Sequence, residues 1–307
     1  MEFLLFVWGY EGHWVPWFPS RPPGVEGWLP IAGLMNTRYF LETGTIPEVH
    51  PAAMILILVF FVISVLFRKA FCGWLCPIGT VSERLWKLGR ETFGRSFLAP
   101  KWLDLPLRML KYALLGAFFY AVLSMHVADL TGFLASPYGL IADVKMLNFF
   151  RFLSPGAAIV LAALVITSMF VPNAWCRYLC PYGALMGLAA LVSPVKIRRV
   201  ETACIDCGKC ARACPSHLPV DRLIQIRSAE CTGCMECVSA CPAEGALALT
   251  LAGPRRAITG QRLAMALAIL FVGAYLGARA TGHWDSPIPA ETYRELIPLA
   301  RELDHPR

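Results

Sequence analysis

The sequence predicts a mainly helical, polytopic membrane protein of about four transmembrane helices, with a small cysteine-rich module on one side. Three observations carry this reading. Hydrophobic types make up 57% of the 307 residues and charged types only 16%, well under the roughly 25% of an average soluble domain; mean hydropathy is +0.55. Four apolar runs, 52–67, 112–127, 156–171 and 263–280, stand between polar segments. Twelve cysteines fall in short repeated spacings, which points to metal binding rather than disulfides.

In chain order, residues 1–8 are apolar, but Glu2 is acidic, no basic stretch comes before it and no small-residue cleavage site follows. This is not a signal peptide. It is too short to span a bilayer, and it reads as the tail of a helix that begins upstream. Residues 1–50 form an N-terminal segment on the outer face. Within it, 28–43 mixes apolar residues with Asn36, Arg38 and Glu42 and is expected to lie on the membrane surface. Trp8, Trp14, Trp17 and Trp28 are expected at the outer interface, as in aromatic belts.

Residues 51–199 form the membrane domain. Helical runs of this size reach roughly 24–27 Å, slightly short of a 30 Å hydrocarbon core; Phe71, Leu107 and Phe152 can extend them. Residues 183–195 are apolar but too short to span. Basic residues set the orientation: 68–111 carry nine Lys/Arg and three acids, and 172–262 carry eleven and six. The counts reverse or balance elsewhere: two and five in 1–50, two and two in 128–155, three and five in 281–307. The positive-inside rule therefore puts 68–111 and 172–262 in the cytoplasm. The net charge of +7 belongs to this pattern and gives no reason to invoke nucleic acid. Four buried helices of a large soluble protein would not explain such alternating flanks.

The third run repeats the first. Aligning 51–80 with 155–184 at an offset of 104 gives ten identities in 30 positions without a gap, among them Pro51/Pro155, Ser64/Ser168, Cys72/Cys176, Cys76/Cys180, Pro77/Pro181 and Gly79/Gly183. Both copies cross in the same direction, so the repeat is parallel. Its two cysteine pairs then lie at equivalent depth on the cytoplasmic side.

Residues 200–250 carry the densest motif. Cys204-x2-Cys207-x2-Cys210-x3-Cys214-Pro215 is followed by Cys231-x2-Cys234-x2-Cys237-x3-Cys241-Pro242. This is the run of a bacterial two-cluster ferredoxin. Three close thiolates cap three irons of one cube, and the fourth cysteine reaches across to the other cluster. Cys204, Cys207, Cys210 and Cys241 are assigned to one [4Fe–4S] cluster, and Cys231, Cys234, Cys237 and Cys214 to the second. Gly208 and Gly233 are read as small residues that let backbone N–H groups approach cluster sulfur. Zinc seldom uses this tandem pattern, and a cytoplasmic site disfavours disulfides. Residues 251–280 complete the last transmembrane helix, and 281–307 are an outer-face tail.

Cys72-x3-Cys76-Pro77 and Cys176-x3-Cys180-Pro181 follow two apolar runs. Positions i and i+4 share a helix face, and the proline marks a helix break or a new start. Three readings stay open: four thiolates facing one another around a third cluster or another soft metal, a reversible thiol switch, and packed free thiols.

These motifs, in this order, resemble the NapH/NosR-type membrane iron–sulfur proteins, a group that includes the CcoG/FixG-type proteins; the match spans about 28–250. The resemblance implies a bacterial inner-membrane protein that relays electrons between the quinone pool and redox partner subunits, with the paired cysteines facing the cytoplasm. Members usually have one more leading helix, and this chain begins where that helix would end. Only 50 residues precede the first full helix, which leaves no room for the flavin-binding domain of NosR types. The short 281–307 tail leaves none for the large C-terminal domain of CcoG types. A compact NapH-like quinol dehydrogenase subunit is the closest fit.

A quinol site needs a proton acceptor beside an apolar slot. His126, with Asp129 three residues on, and His50, with Glu48, are the candidates. No apolar run has a central histidine for haem b, and no Cys-x-x-Cys-His is present for haem c. The alternative function is a maturation factor or copper reductase for a respiratory oxidase; a docking subunit with structural clusters is a third.

Overall fold

The computed structural model describes residues 1–13, 21–94, 100–251 and 257–303. All four apolar runs are helical. They are labelled α1 (Pro51–Phe67), α2 (Lys101–Ser124), α3 (Pro155–Phe170) and α4 (Gly260–Ala280). Two of them are long and apolar enough to cross a membrane: α2 over Trp102–Ser124, and α4. Helix Ala142–Arg151 and α3 meet the same standard together, with an 80° bend at the break, and α1 has 17 residues. The described residues thus hold two to three such spans, where about four were expected. The short helices have chain-chemical limits. Pro51 and Pro155 open α1 and α3, since proline suits a first helical turn. Arg68 ends α1 in the left-handed region at φ 61, and Pro172 follows α3. In contrast, α2 begins eleven residues ahead of its apolar run, at Lys101, and takes in Pro106.

The chain divides into two compact units. Unit 1 is Met1–Val59, Ala117–Ala158 and Val272–Arg307. Helix Glu2–Tyr10 buries Phe6 and Val7 against Ile141, Val144, Tyr293 and Ile297. Helix Pro30–Thr43 buries Ala32 and Met35 against Ala53, Val122, Leu130 and Leu134. Gly33 makes the close approach possible: a Cβ there would lie 2.8 Å from the Ala53 carbonyl oxygen. The segment expected to lie on the surface therefore has a packed face, and Asn36 Nδ2 donates to the carbonyls of Val49 and His50 at 2.8 and 2.9 Å. Trp8 and Trp28 are exposed; Trp14 and Trp17 lie outside the described residues.

Unit 2 is Phe60–Gly116 and Ile159–Phe271, and all twelve cysteines fall in it. The repeat is visible in its backbone. A wide helical turn, Phe71–Leu75, leads from α1 to helix Pro77–Phe93, and the turn Ala174–Tyr178 leads from α3 to helix Pro181–Ala189. The Cys76 N–H donates to Phe71 O at 2.9 Å, and the Cys180 N–H donates to Trp175 O at 3.0 Å. Each Cys–Pro step starts a new helix. Gly183, Ala184, Met186 and Gly187 are buried, so this short apolar stretch packs into the unit. A three-stranded antiparallel sheet follows: β1 (Val195–Arg199), β2 (Leu247–Leu251) and β3 (Ala257–Ile258), in that order. The β1–β2 register runs from Val195↔Leu251 to Arg199↔Leu247. Ile197 and Leu249, each 1% exposed, pair across it. The two strands clamp residues 200–246 as one closed excursion that holds eight cysteines.

Candidate functional site

The two ferredoxin-like runs fold alike. Asp206 (φ 49) and Gly233 (φ 64) occupy equivalent places, as do Gly208 (φ 65) and Met235 (φ 64). Each pair of left-handed residues curls its loop before a short helix, Lys209–Ala213 or Glu236–Ser239. Glycine adopts this conformation without a Cβ penalty. Crowding is not the reason for Gly233, because an added Cβ would meet Phe67 O only at 3.6 Å.

Cys214, Cys231, Cys234 and Cys237 line one cavity, with Ile197 and Ile226 among its apolar walls. Backbone N–H groups of Leu218, Ser216 and His217 lie close enough to Cys214 to oppose the effect of its burial. The Glu236 N–H and the Thr232 side chain do the same for Cys234. Burial pushes the Cys234 thiol up to about 12 and raises Cys214 and Cys237 as well. Such thiols are neutral at pH 7, yet donors beside Cys214 and Cys234 favour anionic sulfur. A bound cation that displaces the protons resolves that conflict. In the other set, Cys210 is buried and feels the charge of Cys241, while Cys204 and Cys207 are partly exposed. All twelve cysteines are free of disulfides. Among the described residues no three His, Cys, Asp or Glu side chains gather tightly enough to hold a single ion. A zinc ion would draw its sulfurs to about 2.3 Å from one point; four thiols spaced around a cavity suit a larger cube capped at its corners.

The membrane-edge cysteines lie within electrostatic reach of one another. Cys176 senses the charges of Cys180, Cys72 and Cys76. Burial pushes Cys72 up to about 12; Lys69 opposes this, and Cys180 and Cys76 add to it. Cys180 Sγ accepts the Gly183 N–H at 3.2 Å. Gly79 is packed so closely on the turn before it that a Cβ would lie 2.2 Å from Cys72 O.

Three cations that looked like loop charges are buried: Arg68 is 0%, Lys69 2% and Lys111 0% exposed. Arg68 donates to Ile226 O at 2.8 Å and Ser228 O at 2.6 Å. Lys111 Nζ donates to Glu230 Oε1 at 2.6 Å. Trp74 Nε1 donates to Gly233 O at 3.2 Å, and a Cβ on Gly73 would touch Thr232 at 3.3 Å. The second cysteine loop thus rests on the first membrane-edge turn. Sequence reasoning missed these links; the one available signal was two basic residues, Arg68 and Lys69, directly after an apolar run.

The two histidine candidates differ. His126 is exposed at the N-cap of helix Val127–Leu134, with Asp129 in its first turn. His50 is fully buried. It donates Nε2–H to Gly139 O at 2.8 Å and Nδ1–H to Glu26 Oε1 at 3.2 Å. Arg21 bonds Glu26 at 2.8 Å and Asp143 at 2.7 Å, so two cations face two carboxylates. Burial opposes the charges of His50 and Glu26, but their mutual bond and the opposite charges facing them together outweigh it: His50 is held above its ordinary pKa and Glu26 below. Glu48 is exposed, and its backbone carbonyl accepts from Ser286.

Comparison with known proteins agrees with this geometry. A model described as a 4Fe-4S binding domain matches residues 49–96 and again 153–199, one match on each copy of the repeat. A 4Fe-4S dicluster domain model matches 196–242. The putative electron transport protein YccM of Escherichia coli is 51% identical over 312 residues, covering 99% of this chain and 87% of that protein. The ferredoxin-type protein NapH of Escherichia coli is 25% identical over 217 residues, 66% of this chain and 69% of NapH. The methylamine utilization ferredoxin-type protein MauN of Methylorubrum extorquens is 27% identical over 192 residues, 62% of each chain. No solved structure matches significantly. With a 51% identical relative along almost its whole length and 4Fe-4S domain matches over its cysteine motifs, the chain belongs to the NapH-like family of ferredoxin-type membrane proteins.

Proposed function

We propose that this chain is a membrane-bound iron–sulfur electron carrier that passes electrons between the quinone pool and a protein redox partner. One observation carries the reading: Cys214 of the first motif joins Cys231, Cys234 and Cys237 of the second around a single cavity. That is the crossed ligand set of a two-cluster ferredoxin. The relatives' names, a putative electron transport protein and ferredoxin-type proteins, support it.

In this reading Cys231, Cys234, Cys237 and Cys214 hold one [4Fe–4S] cluster, and Cys204, Cys207, Cys210 and Cys241 hold another. Cys72, Cys76, Cys176 and Cys180 hold a third centre, where the 4Fe-4S binding domain model matches both repeat copies. When bound, the clusters supply one-electron oxidation and reduction. The protein's own part is to keep sulfur anionic with N–H donors and to hold the second loop on the membrane-edge turn through Arg68 and Trp74. Oxidising a quinol releases two electrons and two protons, and exposed His126, with Asp129, is the candidate proton acceptor. The excess of Lys and Arg in 68–111 and 172–262 supports a reading with the cysteines on the cytoplasmic face of a bacterial inner membrane.

The test places the anaerobically purified chain in lipid discs with quinol and follows bleaching of iron–sulfur absorbance. The native chain should bleach. Cys76→Ser with Cys180→Ser should keep the two ferredoxin centres yet leave them oxidised. A fully loaded native chain that neither takes electrons from quinol nor gives them to quinone overturns the proposal. So does a double variant that bleaches at the native rate.

A further inference from the structure

Lys69 lies at the end of α1, three residues before Cys72. Its side chain is only 2% exposed. The groups that would carry opposite charge near it are the sulfurs of Cys72, Cys176 and Cys180, once deprotonated, and the carboxylate of Glu230. Glu230 already bonds Lys111 at 2.6 Å. Lys69 Nζ stands 3.4 Å from where a Cβ on Gly183 would be, and the N–H of that residue donates to Cys180 Sγ.

Burying an ammonium without a counter-charge is costly. Neutral packed thiols would leave Lys69 and Lys111, both buried, to share the single carboxylate of Glu230, and so would a disulfide. Four thiolates around a soft metal or an iron–sulfur cube keep a net negative charge and would compensate Lys69. We propose that Lys69 is the internal counter-charge of the membrane-edge four-cysteine centre. It is a positioning residue: it holds the sulfurs anionic and raises the reduction potential of whatever centre they carry. The proposal rests on the reading that Cys72, Cys76, Cys176 and Cys180 form a metal centre.

The test compares the full native chain with Lys69→Met and Lys69→Arg, all purified anaerobically. Iron counting and EPR first establish three centres in the native chain; a potentiometric titration then follows each. One fixed positive charge favours the more reduced, more negative form. In Lys69→Met the reduced-to-oxidised ratio of the third centre at a given potential should fall at least about tenfold, which for one electron is about 59 mV toward more negative potentials. Lys69→Arg should restore it, and the two ferredoxin signals should stay put. An unshifted third centre in Lys69→Met overturns the proposal and leaves the centre standing. A native chain with two centres only overturns both.

If Lys69→Met does not assemble the third centre, metal-depleted chains are titrated with Co(II). The thiolate-to-cobalt band is then followed, using the part of it that Cys76→Ser abolishes. Apparent affinity should fall at least about tenfold in Lys69→Met and recover in Lys69→Arg. Equal affinity in all three chains overturns the role of Lys69.

Discussion

Arg68 is the link whose removal should be felt most sharply at a cysteine loop. Its side chain is fully buried, and its guanidinium donates to the carbonyls of Ile226 and Ser228 at 2.8 and 2.6 Å. Its own backbone N–H donates to Ser193 Oγ at 3.0 Å. Arg68→Met keeps the apolar stem and removes both charge-assisted bonds. Each is worth about 1.5–3 kcal/mol net, so the pair comes to about 3–6 kcal/mol. The lower half of that range is favoured, because Ser228 O keeps a second donor in the Cys231 N–H at 3.2 Å. The cost falls on the segment leading into Cys231 rather than on the whole chain. Hydrogen exchange on the full chain in lipid discs should show protection of residues 226–234 reduced by about 10²–10³-fold. Amides of helix Glu2–Tyr10, in the other unit, should keep their rates. Arg68→Lys should recover about half of the loss, since one of the two bonds can be remade. Protection of 226–234 within threefold of native in Arg68→Met would refute the reasoning.

Further consequences are equally open to measurement. Cys214→Ser should abolish the same EPR signal as Cys234→Ser, and Cys241→Ser the same signal as Cys207→Ser; pairing by motif instead would refute the crossed ligand set. Gly79→Ala should damage the membrane-edge site and cost about 1–3 kcal/mol by overpacking, because its Cβ would lie 2.2 Å from Cys72 O, whereas Gly183→Ala, at 3.4 Å from Cys176 O, should be mild. Thermal scans of the two variants check that contrast. In unit 1, His50 is raised above its ordinary 6.5, so its stabilisation is complete below pH 6.5 and is lost as pH rises through the higher folded value. Glu26 is lowered below its ordinary 4.5, so its stabilisation is complete above pH 4.5 and is lost as pH falls through the lower folded value. Apparent Tm should therefore peak between about pH 4.5 and 6.5, and His50→Gln should flatten the alkaline limb; an identical pH profile in that variant would count against the ion pair.

The cysteine motifs and the repeat were legible because their information is local. Ligand spacing is set within eleven residues of chain, and ten identities at one offset reveal a duplicated unit. What could not be read depends on partners far along the chain. Arg68 looked like a cytoplasmic loop charge because composition does not reveal a carbonyl 158 residues away. Strand β1, with three basic residues in Val195–Arg199, is a strand because β2 pairs with it across the whole cysteine excursion. His50 looked interfacial until Glu26 and Gly139, 24 and 89 residues distant, enclosed it. The start of α2 was hidden for the same reason: Asp104 bonds Arg177 at 2.9 Å and Lys111 bonds Glu230, so polar residues that broke the apolar run are satisfied inside the fold.

The central claim is that these twelve cysteines hold iron–sulfur clusters, and iron, acid-labile sulfide and EPR on the anaerobically purified full chain test it most directly. The account predicts about twelve iron and about twelve sulfide per chain, in three four-iron centres with four cysteines each. Two of them should be lost pairwise with the crossed ligand sets, and the third with Cys72, Cys76, Cys176 or Cys180. Stoichiometric zinc, or disulfides among Cys204 to Cys241 with less than about one iron per chain, would contradict it.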